Sequence, residues 1–163
     1  MPDRLRPIRL QFINKEITMT TPTPGLEYFK LKGFMDAVVT DEVDENLVPD
    51  RKGVNARVTV TPLVNDKDYP EVVATIEGAP HIEILCPVVG RLDDGVLKTS
   101  AAQSDIWLVA NTAIIGLPDD ALVYRVEFSE VVFNKGQDRH LMPRKFTAPN
   151  IADAVVDLSS IAV

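Results

Sequence analysis

Apolar and polar residues alternate along this chain with a period of two almost everywhere, the pattern of strands that bury one face. It begins with Ile8, Leu10 and Phe12, set against Arg9, Gln11 and Ile13. The run from Thr18 to Gly25, TMTTPTPG, excludes a helix through its threonines and prolines and makes an extended linker. Residues 1–26 are therefore read as an extended N-terminal arm with a Pro/Thr-rich linker, and 27–163 as the folded domain.

From Tyr28 the pattern lengthens. Phe29, Leu31, Met35, Ala37 and Val39 face one way and Lys30, Lys32, Asp36 and Thr40 the other, with Gly33 placed for a bend or bulge. Residues 41–55 are polar, carry the breakers Pro49 and Gly53, and predict a long surface loop. Three strands follow: Ala56, Val58 and Val60 before Pro62; Val72, Ala74 and Ile76 before Gly78; and Ile82, Ile84 and Cys86 between Pro80 and Pro87. Asp94-Gly95 is a tight-turn signal, and DIWLVA at 105–110 predicts a further strand. The clearest pattern spans 121–133, where Leu122, Tyr124, Val126 and Phe128 oppose Arg125, Glu127 and Ser129. It ends at Asn134-Lys135-Gly136, with a return strand from Leu141 to Phe146 completing a hairpin. A last strand is expected around Val155 to Leu158, and only Asn150 to Ala154 offers a helical turn. About eight strands with few helix signals predict an all-β fold, an antiparallel β-sandwich of immunoglobulin-like or similar kind.

Composition narrows the function classes. A net charge of −7 opposes nucleic acid and anionic membrane surfaces, since both need clustered Lys and Arg. The one basic cluster, Arg4, Arg6 and Arg9, is interleaved with Leu5, Ile8 and Leu10 and fits an extended arm better than a nucleic-acid site. No run approaches a membrane span or a signal-peptide core, so a soluble protein is expected. The single cysteine, Cys86, excludes an intrachain disulfide, and its apolar neighbours predict a buried, inert thiol.

No catalytic constellation, metal site or cofactor is expected. His81 and His140 are far apart, with no Cys, His or carboxylate at ligand spacing. No G-x-S-x-G occurs, and the eight glycines are isolated. Asp41, Glu42, Asp44 and Glu45 form an acidic cluster whose spacing does not match an EF-hand, and a solvated loop accounts for it. Asp93-Asp94 and Asp119-Asp120 read as turn formers. Trp107 alternates with Ile106 and Leu108 and is expected to pack on the core or a sheet face. What remains is a binding or assembly component. Its sharpest candidate is the arm, where Ile8, Arg9, Leu10, Gln11 and Phe12 would add a strand to an exposed sheet edge of another subunit.

Several segments carry a resemblance in their order: ARVTVTPLV at 56–64, EVVATIEG paired with RLDDGVLKT, IWLVAN at 106–111, LVYRVEF at 122–128, and the ending FTAPNIADAVVDLSSIAV. Together they resemble small β-rich virion proteins of tailed phages infecting actinobacteria, described as minor tail or structural proteins. The resemblance covers 27–163 and leaves the arm without a counterpart. It implies a β-sandwich placed in the phage tail after assembly in the host cytoplasm. Its partners would be other virion proteins and copies of itself, a trimer being favoured. Capsid decoration or a head fibre is the alternative place. A carbohydrate-binding module for the host cell wall is the alternative of another class, with Trp107, Tyr28 or Tyr69 stacking on sugars.

Overall fold

The computed structural model describes residues 25–39, 50–133 and 137–162. Chain order begins with β1 (Tyr28–Lys32), β2 (Asp36–Val39), β3 (Asp50–Gly53), β4 (Asn55–Val64) and β5 (Lys67–Asp68). It continues through β6 (Glu71–Ile76), β7 (Ala79–Ile84), β8 (Val88–Asp93), β9 (Val96–Thr99) and β10 (Ile106–Val109). Then come β11 (Ile114–Ile115), β12 (Leu122–Phe133), β13 (Gln137–Arg139), β14 (Arg144–Thr147), β15 (Val155–Asp157) and a 3-10 turn, Leu158–Ser160. The fold is all-β, as the alternation requires.

The largest sheet runs β13-β12-β4-β8-β9, with β14 also on β12 and β5 on β4. Strands β4 and β12 form its centre. Ala56, Val58 and Val60 of the first and Leu122, Tyr124 and Val126 of the second are all buried. Their register slips between Ser129 and Val132, where Glu130 at φ 53 makes a bulge. Pro62 is accommodated inside β4 opposite Tyr124, beyond Val60, the last residue alongside β8.

A second sheet, β10-β1-β15, packs on this one. Phe29 of β1 meets Tyr124 and Phe146 edge-on, with ring centroids 5.6 and 5.9 Å apart. Gly90 of β8 lets Ile106 come close, since a Cβ there would lie 2.7 Å from Ile106 Cδ1. The pairing of β15 with β1 is parallel, unlike the antiparallel ladders elsewhere. A third sheet, β11-β6-β7, contributes Val72 to the same core, to which Leu85 just past β7 also belongs, and β2 and β3 form a separate ribbon.

Four expectations are corrected. The single long strand from Tyr28 is broken at 33–35. Gly33 passes so near the 3-10 turn that a Cβ would sit 2.8 Å from Leu158 Cβ. The Ser159 hydroxyl accepts from the Phe34 N–H at 2.9 Å and donates to its C=O at 3.0 Å. The loop expected over 41–55 is strand at its far end, where Asp50–Gly53 pairs with Asp36–Val39. The acidic cluster Asp41 to Glu45 lies outside the described residues. The return strand after β12 is two pieces, β13 on Val131–Phe133 and β14 on Val123–Val126. Finally, Asn150 to Ala154 is not helical. The helical turn comes later, capped by the Asp157 carboxylate, which accepts from the Ser159 N–H at 2.9 Å and is held below its usual pKa by those Ser159 hydrogen bonds.

Candidate functional site

The arm residues Ile8, Arg9, Leu10, Gln11 and Phe12 lie outside the described residues. The first described residue is Gly25, whose φ of 89 and tight approach to Thr75 of β6 leave no room for a Cβ.

The unusual surface lies on the neighbouring sheet. Strand β7 ends the order β11-β6-β7, so among the described residues its second edge is open. The direction of its backbone groups follows from one bond. Just past the strand, the Leu85 N–H donates to the Pro70 C=O at 3.0 Å, on the β6 side. Backbone groups alternate sides along a strand, so those of His81 and Glu83 also point to β6. Those of Ile82 and Ile84, and the C=O of Pro80, point out of the open edge. Pro80 thus forfeits no bond to β6, which is why a proline is tolerated here.

On the outer face of this sheet the middle row is apolar, flanked on β6 by the exposed Glu71 and Thr75. Register places Ile115 beside Val73 and Val73 beside Ile82, a row across three strands. Ile82 is 70% exposed, Ile84 57% and Ile115 54%. Lone exposed isoleucines are unremarkable, but here they stand beside an unpaired strand edge, a combination that folded monomers commonly guard against.

Beside β7 opens a cleft of about 240 Å³, lined among others by Tyr28, Glu83, Ile84, Cys86, Trp107 and Tyr124. Cys86 is exposed here, which corrects the expectation of a buried thiol. The alternation through Ile82, Ile84 and Cys86 is real, but on an edge strand it sorts residues between two faces without burying either. Its thiol makes only a weak 3.8 Å contact to the Ile84 C=O. Trp107 packs on a sheet face and stays 42% exposed, with the Lys30 ammonium 4.9 Å from its ring centre. Tyr28 shares this cleft, while Tyr69, 54% exposed at φ 51, stands after β5 and is not among its lining residues.

Tyr124, at the floor of the cleft, is a strongly perturbed titratable group. Burial drives its hydroxyl pKa upward, and the neutral hydroxyl donates a 2.7 Å bond to the Val109 C=O. That arrangement clamps the two packed sheets together. His81, on β7, and His140, in the connection between β13 and β14, are both exposed. Among the described residues, no three His, Cys, Asp or Glu side chains gather to hold a metal ion, and no helix is long and apolar enough to cross a membrane.

The sequence placed interest in the arm and missed Ile82, Ile84 and Ile115. A signal was present in Pro80, which falls inside the alternation of β7 and marks an edge strand. Compared with profiles of protein families, with curated proteins and with solved structures, the chain matches none.

Proposed function

We propose that this chain is a structural component of a phage virion, a minor tail protein acting in assembly or attachment. The observation that carries the reading is the open β7 edge with the isoleucine row beside it, a surface suited to a neighbouring subunit. The ordered segments that resemble actinobacteriophage virion proteins supply the kind of particle. The arm belongs to the same reading, with Ile8, Leu10 and Phe12 adding a strand to another virion protein. Its charge suits such a role. Residues 1–24 carry four basic side chains against two acidic ones, a surplus of two on a chain of net −7, which leaves −9 on the remainder.

Antibody labelling of purified particles, with peptide mass spectrometry, tests the reading. Label at the tail tip is expected, label on the head moves the chain to capsid decoration, and absence from particles overturns the proposal. Deleting residues 1–17 tests the arm, whose role is lost if assembly proceeds unchanged. The cell-wall carbohydrate alternative is disfavoured because Lys30 already occupies one face of the Trp107 ring.

A further inference from the structure

We infer that β7 is the contact surface for a second copy of this chain, the two β7 strands pairing antiparallel about a two-fold axis through Ile82. This deepens the virion reading, which rests on the same edge, by naming what covers it, and its test in solution can fail without the particle test failing.

The strand reads APHIEI, and its chemistry is self-complementary only in that register. With Ile82 on the axis, the two copies of Ile82 exchange both backbone bonds, because the groups of this residue face the open edge. Each Ile84 N–H then meets the C=O of the opposite Pro80. Each copy forgoes one bond in this register, from the missing Pro80 N–H to the opposite Ile84 C=O, the carbonyl on which the Cys86 thiol already sits at 3.8 Å.

Side chains agree with the backbone. On the outer face the row Ile115, Val73, Ile82 would run on into its copy, making one apolar stripe across six strands. On the other face His81 would lie opposite Glu83 of the second copy, and Glu83 opposite its His81. Centring the axis on Glu83 would set the two glutamates against each other, and centring it on His81 the two histidines, so Ile82 alone pairs unlike groups. A one-residue slip would turn the isoleucines to the opposite face of the copy. No lysine guards this edge, although exposed strands commonly carry one.

Such a contact is isologous and gives pairs, in place of the threefold association that the resemblance implied. Edge pairing over five residues is smaller than a standard stable interface, so it belongs to the weak class that repetition in an assembly reinforces.

Sedimentation equilibrium of the full chain is expected to give twice its 18.0 kDa mass at roughly 100 µM and above. Ile82→Lys sets two ammonium groups against each other on the axis and should weaken the dimer by about tenfold or more. Its circular dichroism, and its melting at dilutions where both proteins are monomeric, should be unchanged, since that side chain is exposed in the single chain. Glu83→Lys should also weaken the dimer, and adding His81→Glu should restore it. In a Cys86→Ser background, Ile82→Cys should yield a covalent dimer on oxidation, because opposed residues in a hydrogen-bonded pair have Cα atoms about 5.5 Å apart. Ile115→Cys, two strands inward, should not. A monomer at that concentration, an oligomer indifferent to Ile82→Lys, or cross-linking through Ile115→Cys as readily as through Ile82→Cys would each overturn the inference. So would loss of the dimer on deleting residues 1–17, which would assign the edge to the arm.

Discussion

Tyr124 shows at the scale of one residue how the sheets are held. Its ring is buried between Phe29 and Phe146, and its hydroxyl crosses to the Val109 C=O at 2.7 Å. Tyr124→Phe keeps the ring and strands that carbonyl, so a loss of about 1–2 kcal/mol is expected in chemical denaturation. The pH dependence follows from the raised pKa. An unfolded chain ionises this tyrosine near 10.0 while the folded one keeps it neutral, so its contribution is fully present below pH 10 and is lost as pH rises further. The phenylalanine variant should therefore show a shallower decline in stability above pH 10, and an unchanged slope there would refute the clamp. The burial of Tyr124 was legible, since Leu122, Tyr124 and Val126 alternate without interruption and all three are buried. Cys86 has the same local pattern and is exposed, because period two reports which residues share a face and not whether anything covers that face.

Turns decide the elements. Three two-residue hairpin turns, Asn65-Asp66, Glu77-Gly78 and Asp94-Gly95, place both residues at positive φ, the twist that closes neighbouring strands. Only Asp94-Gly95 was legible as a turn, because Asp-Gly is a strong signal while Asn-Asp and Glu-Gly are weak ones. Two glycines separate backbone preference from crowding. Gly78, at φ 79, has nothing within 4 Å of where an added methyl group would stand, so Gly78→Ala should cost only the left-handed penalty, about 1–2 kcal/mol. Gly95, at φ 87, would put its methyl 2.8 Å from the Met35 C=O, at the base of the β2-β3 ribbon. Gly95→Ala should cost more than Gly78→Ala, by about 1 kcal/mol or more. Equal melting shifts for the two would show that the ribbon base yields freely. The break at Gly33 was half legible. A bend there was expected, but the cause is the closeness of Leu158, more than a hundred residues away, which no local pattern encodes.

At the scale of the molecule, one core serves three sheets. Buried residues from β1, β4, β6, β8, β10 and β12 belong to a single cluster, with Phe29 fully buried where β1 faces β12 and β14. Fold class was legible because the alternation repeats through β1, the first half of β4, β6, β8 and β12. The division into sheets was not, since strand order depends on which faces meet across long separations, as when β15 joins β1 in parallel. Sharing a core makes separate unfolding of the sheets costly, for each would expose the apolar face of the other. Phe29→Ala tests this. Removing that ring should cost about 3–5 kcal/mol, a large part of the roughly 5–15 kcal/mol that holds a domain. Trp107 reports on the sheet β10-β1-β15, and far-ultraviolet circular dichroism reports on all the strands. In the variant both signals should still move together in one transition at lower denaturant. If Trp107 fluorescence changed first, the smaller sheet would be an independent unit and the aromatic contact a local one. A single displaced transition is the result that a common core requires.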